Sequence, residues 1–324
     1  MKELRAPSPD ASGRGASSGE SVLAPLPETY YERPLLKRPH WGWEVVTYLF
    51  LGGVMGGSGM LVGLANDKHD PDLKRSARYL AAVLAAVCPP VLIGHLGRPE
   101  RFLNMLRVFK WRSPMSMGVW GLLAFSLPAT AGALGQAAHD GILPRWLRWF
   151  TPRALTDPLT GIQGAFIGGY TGVLLSATVV PLWAKGTRHI PAVSVCSGIA
   201  GACAANSFIL ALTNGSERSI RKLERFELVA ALAELSILID FKRHAGAIGD
   251  PMFAGTRGEK LLRVTGIGGI LIPALLTLLP VRGRPKTLLT SALALLGGYV
   301  LRETLIEAGK VSADDPRAAS QQPE

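Results

Sequence analysis

The chain has 324 residues, of which 48% are hydrophobic and only 18% are charged, and its mean hydropathy is +0.24. This composition is unusual for a soluble protein and favours a membrane protein. The net charge of +11 indicates basic residues near both membrane faces, which suits anionic lipid or an acidic partner, and no motif in the sequence supports nucleic acid as a partner.

The two ends of the protein differ from the rest in composition. Residues 1–38 are rich in Pro, Ser and Gly and lack the apolar core of a cleavable signal, so they predict a flexible N-terminal tail. The C-terminal end, SADDPRAASQQPE, predicts a second flexible tail over residues 311–324. The membrane domain is therefore predicted to cover residues 39–310.

Eight apolar stretches in this domain are about 20 residues long, which is the length that crosses about 30 Å of hydrocarbon as a helix. They predict an all-α, polytopic fold with transmembrane helices near residues 43–66, 76–96, 115–138, 159–183, 190–213, 223–241, 260–280 and 286–306. An even number of spans places both termini on one face. Lys and Arg flank the spans almost equally on the two faces, so the orientation stays open.

The first predicted span, WEVVTYLFLGGVMGGSGMLVG, combines an acid, a phenol and many glycines. On a helix Glu44 and Tyr48 share one face with four of those glycines, namely Gly52, Gly56, Gly59 and Gly63. Glycines at this spacing allow a neighbouring helix to approach closely. An ionisable group within a span is costly unless it is paired, hydrated or functional, so Glu44 is either an interfacial carboxylate or a proton-transfer group.

The connection after the second span reads HLGRPERFLNMLRVFKWRSPMSMGVWG. Its apolar and basic residues alternate as they do in a short amphipathic helix that lies flat on the membrane, on the same face as the termini. His95 closes the second span, either as a polar cap or as a functional group. Arg98 and Arg101 are predicted to contact lipid phosphate or a partner, and Ser113 and Pro114 end the connection before the third span.

The sixth predicted span carries two carboxylates, Glu227 and Glu234, seven residues apart on one helical face. Two interpretations remain open. The carboxylates form steps of a proton path, or they are structural, with Glu234 paired to a base such as Arg263.

Cysteine and histidine positions bear on cofactors. Cys88, Cys196 and Cys203 lie in apolar spans without a CxxC pair, which favours buried small side chains over an iron–sulfur cluster or a zinc site. A haem held between helices would need two histidines well inside the membrane, and every histidine falls in a loop or at a span end: His40, His69, His95, His139, His189 and His244. We therefore predict no haem, iron–sulfur cluster or metal in this protein.

Four motifs carry a resemblance to a known family. WxWE..TYLFLGG..GG, HLGRPERF, SPMSMGVWG and GGYVLRETLIEAGK together resemble the NrfD/PsrC family, which includes the membrane subunit of polysulfide reductase. The resemblance implies eight spans in two four-helix bundles and a site for exchangeable menaquinone or ubiquinone. It also implies a ferredoxin-like iron–sulfur partner subunit, a molybdopterin catalytic subunit beyond it, and a place in the bacterial cytoplasmic membrane.

The same resemblance suggests the site residues. Tyr48 aligns with a histidine of the polysulfide reductase subunit, Tyr170 aligns with its tyrosine, and Val45 replaces its asparagine. A phenol donates a hydrogen bond to a quinone carbonyl but is a poor proton acceptor near neutral pH, so Glu44 is predicted to take that role. Catalysis is assigned to Glu44, Tyr48 and Tyr170, and quinone binding to Tyr48, His95 and Tyr170.

Two other classes of function remain open. A secondary transporter also uses glycine-broken spans and intramembrane carboxylates, but it requires related halves, and the sequence shows no convincing internal repeat. A purely structural membrane anchor requires only helix packing, and it would make Glu44, Tyr48 and Tyr170 dispensable.

Overall fold

The structure is a computed structural model that describes residues 36–94, 100–279, 283–316 and 318, with only the backbone of Arg101 and Leu103. The described residues are helical and contain no β-strand, which confirms the predicted all-α class. His95 and Arg98 lie outside the described residues. The same holds for residues 1–35 of the N-terminal tail, which was predicted over residues 1–38.

The α-helices follow one another closely along the sequence. In order they are α1 (Trp43–Leu64), α2 (Pro71–Gly94), α3 (Arg101–Arg107), α4 (Pro114–His139), α5 (Arg153–Ser176), α6 (Pro181–Lys185), α7 (His189–Leu212), α8 (Glu217–Ala245), α9 (Asp250–Phe253), α10 (Gly255–Lys260), α11 (Ile272–Leu278) and α12 (Arg284–Asp314). Short 3-10 helices cover Arg145–Trp149 and Gly246–Gly249, and a π-helix over Leu261–Leu271 joins α10 to α11.

Within the described residues, six helical segments are long and apolar enough to cross a membrane: α1, α2, α4, α7, α12 and the continuous segment Gly255–Leu278. The molecule is thus a multi-pass membrane protein. The predicted fourth and sixth spans, 159–183 and 223–241, overlap α5 and α8, which have 24 and 29 residues and begin six residues earlier. α5 includes Arg153 and Asp157 in its first two turns, and the first three turns of α8 are densely charged.

Several boundaries differ from the predicted ones. α2 begins at Pro71, five residues before the predicted second span, so Lys74 and Arg75 belong to the helix and not to a loop. α12 continues to Asp314 with Ser312 and Ala313 buried, so the first four residues of the predicted C-terminal tail are helical. Hydropathy alone misses these turns because they are polar, whereas contacts with other helices stabilise them.

The glycine face of α1 packs as the sequence predicts. Gly56 lies against Gly164 and Gly168 of α5, and Gly63 lies against Gly161 one helical turn earlier on α5. A Cβ atom at position 56 would come within 2.7 Å of the Gly164 carbonyl oxygen, which is closer than real carbon–oxygen contacts. Backbone approach of this kind stabilises membrane helices, because lipid supplies no hydrophobic force to bring them together.

α1 also has a second glycine face that the sequence analysis did not identify. Gly53 and Gly57 pack against the backbone of Gly198 on α7, and the Arg302 guanidinium of α12 lies beside Gly53. α1 therefore contacts α2, α5, α7 and α12, and α4 packs on α5. This central position buries most of α1.

Contacts between helix ends define two faces of the membrane domain. At one end, which we call the far face, Ser216 before α8 donates a hydrogen bond to Asp72 of α2, and Lys286 of α12 pairs with Glu224 of α8. At the other end, which we call the terminal face, Arg38 before α1 pairs with Asp314 at the end of α12.

Candidate functional site

Two buried tyrosines converge near the terminal face. Tyr48 of α1 and Tyr170 of α5 are 2% and 6% exposed. Gly52, one helical turn after Tyr48 on α1, lies against Thr171, the residue after Tyr170 on α5, so the two tyrosines lie at the same level of the contact between these helices. Among the described residues the Tyr48 hydroxyl has no hydrogen-bond partner, so it can donate to a ligand. The structure therefore brings together the two tyrosines that the sequence selected from separate helices.

Helix α4 fixes the orientation of Tyr170. The Tyr170 hydroxyl donates a hydrogen bond to the carbonyl oxygen of Pro114, the first residue of α4. Its ring stacks on Phe166 with centroids 5.8 Å apart and lies against Gly118, where a Cβ atom would overlap the ring. Since Pro114 begins α4 at the terminal face, the phenol lies toward that face. A ligand that binds this hydroxyl must replace the Pro114 carbonyl as its acceptor.

Glu44 lies in the first turn of α1 and is partly exposed. Its carboxylate folds back over Gly42, since a Cβ atom added at Gly42 would overlap a Glu44 oxygen. A negative charge in the first turn of a helix is stabilised by the helix dipole. Glu44 thus lies one turn from Tyr48, on the terminal-face side, and its side chain extends away from the tyrosine in this conformation.

Other predicted contact residues receive only partial descriptions. His95 and Arg98 lie outside the described residues, and Arg101 is described only as the first residue of α3. The short helix predicted in this connection is present as α3. Ser113 caps α4 by accepting a hydrogen bond from the backbone N–H of Ser116 at 3.4 Å, and Pro114 occupies the first turn.

Glu227 and Glu234 of α8 both point into the protein, with 7% and 4% of their surface exposed. Each lines a small internal cavity, and Glu227 lines two: one with Glu224, and one with Glu234. The cavity that contains Glu234 is bounded by the π-helix, by α7 and by α12, including Thr265, Ser197 and Gly298 at its walls. The two carboxylates therefore share one interior face, as their spacing predicts.

The predicted pairing of Glu234 with Arg263 is wrong. Arg263 is exposed and pairs with Glu259 on the same helical face, 3.3 Å away. Arg302 of α12, one helical turn after Gly298 in the wall of this cavity, is the buried base on this side of Glu234 and is 2% exposed. Arg263 was named only as an example of such a base, and the rotation of the helix that carries it turns its side chain outward.

Arg302 is incompletely hydrogen-bonded. Its Nη2 donates to the carbonyl oxygen of Ser194 at 3.2 Å, and its Nε and Nη1 have no partner within the part of the protein that the structure describes. A buried guanidinium with unsatisfied donors is costly unless water or a ligand satisfies them. Arg302 therefore lies beside Gly53 of α1 with buried donors available to a water or a ligand.

A buried ion network at the far face was missed by the sequence analysis. Arg78 of α2 uses its Nε and Nη2 to bind Asp157 of α5, at 3.1 and 2.5 Å, and it also donates to Asp67 and to Gln136 of α4. Lys74 binds Asp157 at 2.9 Å. The signal in the sequence was the group of charged residues in the first turns of α2. It was missed because these residues were counted as loop charges at the membrane surface.

The cysteines show no sign of a shared site. Cys88 and Cys203 are buried, as predicted, and Cys196 is half-buried. Among the described residues no group of three or more His, Cys, Asp or Glu side chains is arranged to hold a metal ion. The absence of haem, iron–sulfur cluster and metal from the whole protein stays a prediction.

Together, these features define a multi-pass membrane protein with two buried tyrosines on the adjacent helices α1 and α5. The model of the family described as Polysulphide reductase, NrfD matches residues 35–313, so the chain belongs to that family. The resemblance drawn from its motifs is confirmed.

Two curated proteins illustrate the relationship. The protein is 26% identical over 314 residues to the "Protein NrfD homolog" of Haemophilus influenzae, and the match covers 84% of the present sequence and 95% of that relative. It is 28% identical over 185 residues to the C chain of the polysulfide reductase of Wolinella succinogenes, and this match covers 52% of the present sequence and 57% of that relative.

Proposed function

We propose that this protein is the quinone-reactive membrane subunit of a respiratory oxidoreductase complex in the bacterial cytoplasmic membrane. It exchanges electrons between menaquinone or ubiquinone and a ferredoxin-like iron–sulfur subunit, which passes them to or from a molybdopterin catalytic subunit. The observation that carries the proposal is that Tyr48 and Tyr170 are both buried at the same level of the contact between α1 and α5 in a member of the NrfD family. One relative is named as a single lettered chain of a reductase, which supports membership in a multi-subunit complex.

The residues present fit a quinone. A quinone head needs hydrogen-bond donors at its carbonyl oxygens, and the hydroxyls of Tyr48 and Tyr170 are such donors on adjacent helices. Oxidation of a quinol releases two electrons and two protons. In the proposed site the phenols hold the oxygens, the Glu44 carboxylate accepts the two protons in turn and releases each to water at the terminal face, and both electrons pass to the partner subunit that carries the iron–sulfur cluster.

We also propose eight spans in two groups of four helices. α4 and α7 both run from the terminal face to the far face, so the backbone must return between them, and α5 is the long helix that does so. α8 returns the backbone in the same way between α7 and the segment Gly255–Leu278. Asp157 of α5 and Glu234 of α8 are turned inward, with 5% and 4% of their surface exposed.

The experiment that tests the redox function uses the purified complex. A reduced short-chain quinol is added, and reduction of the iron–sulfur clusters is followed by electron paramagnetic resonance. We expect cluster reduction in the complete complex and none in a complex assembled without this subunit. Equal reduction without the subunit would identify it as a structural anchor, and transport of a solute by the isolated subunit in liposomes would identify it as a transporter.

A proton path along the buried face of α8 is part of this proposal. The Glu224 side chain, which pairs with Lys286 near the far face, shares a cavity with Glu227, and Glu227 shares a second cavity with Glu234. The cavities measure about 10 and 20 Å³, enough for about one water each. Carboxylates joined by single waters can pass protons from the far face toward Arg302.

Glu234→Gln tests this path, since it removes the protonatable group and preserves the shape of the side chain. In proteoliposomes we expect fewer protons taken up from the far face per electron transferred, with quinol oxidation in detergent unchanged. Glu259→Gln, at the exposed partner of Arg263, is the matched control and leaves the proton count unchanged. An unaltered proton count in Glu234→Gln excludes the path.

A further inference from the structure

A cleft at the far face combines a basic rim with an apolar lower wall. It lies between the first turns of α8 and the end of α1 with the following loop, and its volume is about 690 Å³. Ligand sites in proteins commonly have volumes of about 300–1,000 Å³. The lining residues come from two distant parts of the sequence, so the cleft exists only in the folded structure.

The basic rim comes from one helix. Arg218, Arg221, Lys222 and Arg225 lie at three- and four-residue spacing in the first turns of α8, and all four line the cleft. Lys222 binds the buried carboxylate of Asp70 at 2.5 Å, and Arg221 binds Glu217 at 3.1 Å.

The other two guanidiniums, those of Arg218 and Arg225, are exposed and have no ion pair among the described residues. Of the charged groups that line the cleft, four are basic and one, Asp70, is acidic. The cleft therefore attracts an anion.

Immediately toward the membrane interior, the side of α8 that faces the cleft becomes apolar. Phe226 and Val229 line the lower part of the cleft and are 49% and 67% exposed, and Leu64 at the end of α1 is 84% exposed opposite them. The change from basic to apolar residues occurs between Arg225 and Phe226. A change of this kind along a membrane helix marks the level where lipid headgroups meet acyl chains.

We propose that this cleft binds one anionic phospholipid. The phosphate lies between the guanidiniums of Arg218 and Arg225, and one acyl chain runs along Phe226, Val229 and Leu64. Basic pockets between membrane helices bind anionic headgroups in this way, and paired guanidiniums match phosphate oxygens. The bound lipid contacts both α8 and the end of α1 with its following loop. The Lys222–Asp70 pair already connects these two elements.

The test compares phospholipid retention by the full-length protein and its variants. Each protein is reconstituted with phosphatidylcholine containing a minor fraction of phosphatidylglycerol, and retained lipid is counted by native mass spectrometry. The double variant Arg218→Gln/Arg225→Gln is expected to retain phosphatidylglycerol about tenfold less than wild type, because two phosphate contacts are lost. Arg107→Gln/Arg243→Gln removes the same charge from exposed positions at the terminal face and retains wild-type levels.

Further variants and ligands separate the possible occupants. Val229→Asn leaves the charge unchanged and lowers phosphatidylglycerol retention by weakening the acyl contact, with helical circular dichroism and melting temperature as folding controls. Inorganic phosphate at millimolar concentration does not displace the lipid. Equal retention of phosphatidylcholine and phosphatidylglycerol, equal loss in both double variants, or displacement by phosphate overturns the proposal. Loss of a protein subunit from the assembled complex in place of lipid would identify a protein interface and overturns it as well.

Discussion

Replacement of Asp157 with asparagine is expected to lower the free energy of unfolding by about 3–5 kcal/mol, the cost of leaving a buried charge without its partner. Asp157 is 5% exposed and accepts two bonds from Arg78, which is 2% exposed, and one from Lys74. Asparagine retains the size of the side chain but removes the negative charge, so the two buried cations are left with only the partly exposed carboxylate of Asp67 as a counter-charge. The measurement is thermal or denaturant unfolding in one detergent.

The matched control for Asp157→Asn is Asp240→Asn. Asp240 is also paired, with His189 at 2.9 Å, but its side chain is 70% exposed. Exposed pairs contribute about 0–1 kcal/mol, so this variant is expected to unfold close to wild type. Equal stability of Asp157→Asn and wild type would contradict the assignment of a structural role to the network.

The loop carboxylate of Asp67 makes the same network sensitive to acid. Burial opposes its ionisation, but the hydrogen bonds and charge of Arg78 and the charge of Lys74 outweigh burial and hold the pKa of Asp67 below its ordinary value. Because the pKa is lower in the folded state, ionised Asp67 stabilises the protein at neutral pH. That contribution is lost as the pH falls below about 4, through the ordinary carboxylate range.

Tyr170→Phe is expected to lower the rate of quinol oxidation by the purified complex by about 10²-fold, the size typical of a lost catalytic proton or hydrogen-bond donor. Phenylalanine preserves the ring that stacks on Phe166 and packs against Gly118. The variant therefore removes the hydroxyl with little change in packing. Steady-state quinol oxidation and the melting temperature are measured on the same preparation.

Tyr79→Phe is the control for Tyr170→Phe, because it also removes a phenol from a membrane helix. The Tyr79 hydroxyl donates to Asp140 at 2.7 Å near the far face, away from the proposed site, so the oxidation rate is expected to stay at wild-type level.

Glu44→Gln is expected to slow oxidation by removing the proposed proton acceptor. Unchanged rates in both Tyr170→Phe and Glu44→Gln would show that the quinone site lies elsewhere.

The class of protein and its family are readable from the primary sequence. Span length, hydropathy and short motifs are local properties, so they can be recognised in the sequence without knowledge of how the helices pack. The close approach of the Gly56 face of α1 was also predictable, since glycines at helical spacing fall on one side whatever partner they meet. For the same reason Glu227 and Glu234 were correctly assigned to one face of α8.

The pairing of charges, in contrast, depends on how the helices pack. Arg78 is 79 residues from Asp157 in sequence, and its burial depends on how α2 is rotated against α5. Arg302, and not Arg263, is the buried base near the cavity that holds Glu234, because the helix that carries Arg263 turns that side chain outward. Such pairings depend on the rotation and depth of several helices at once, which the local pattern of a single helix does not specify.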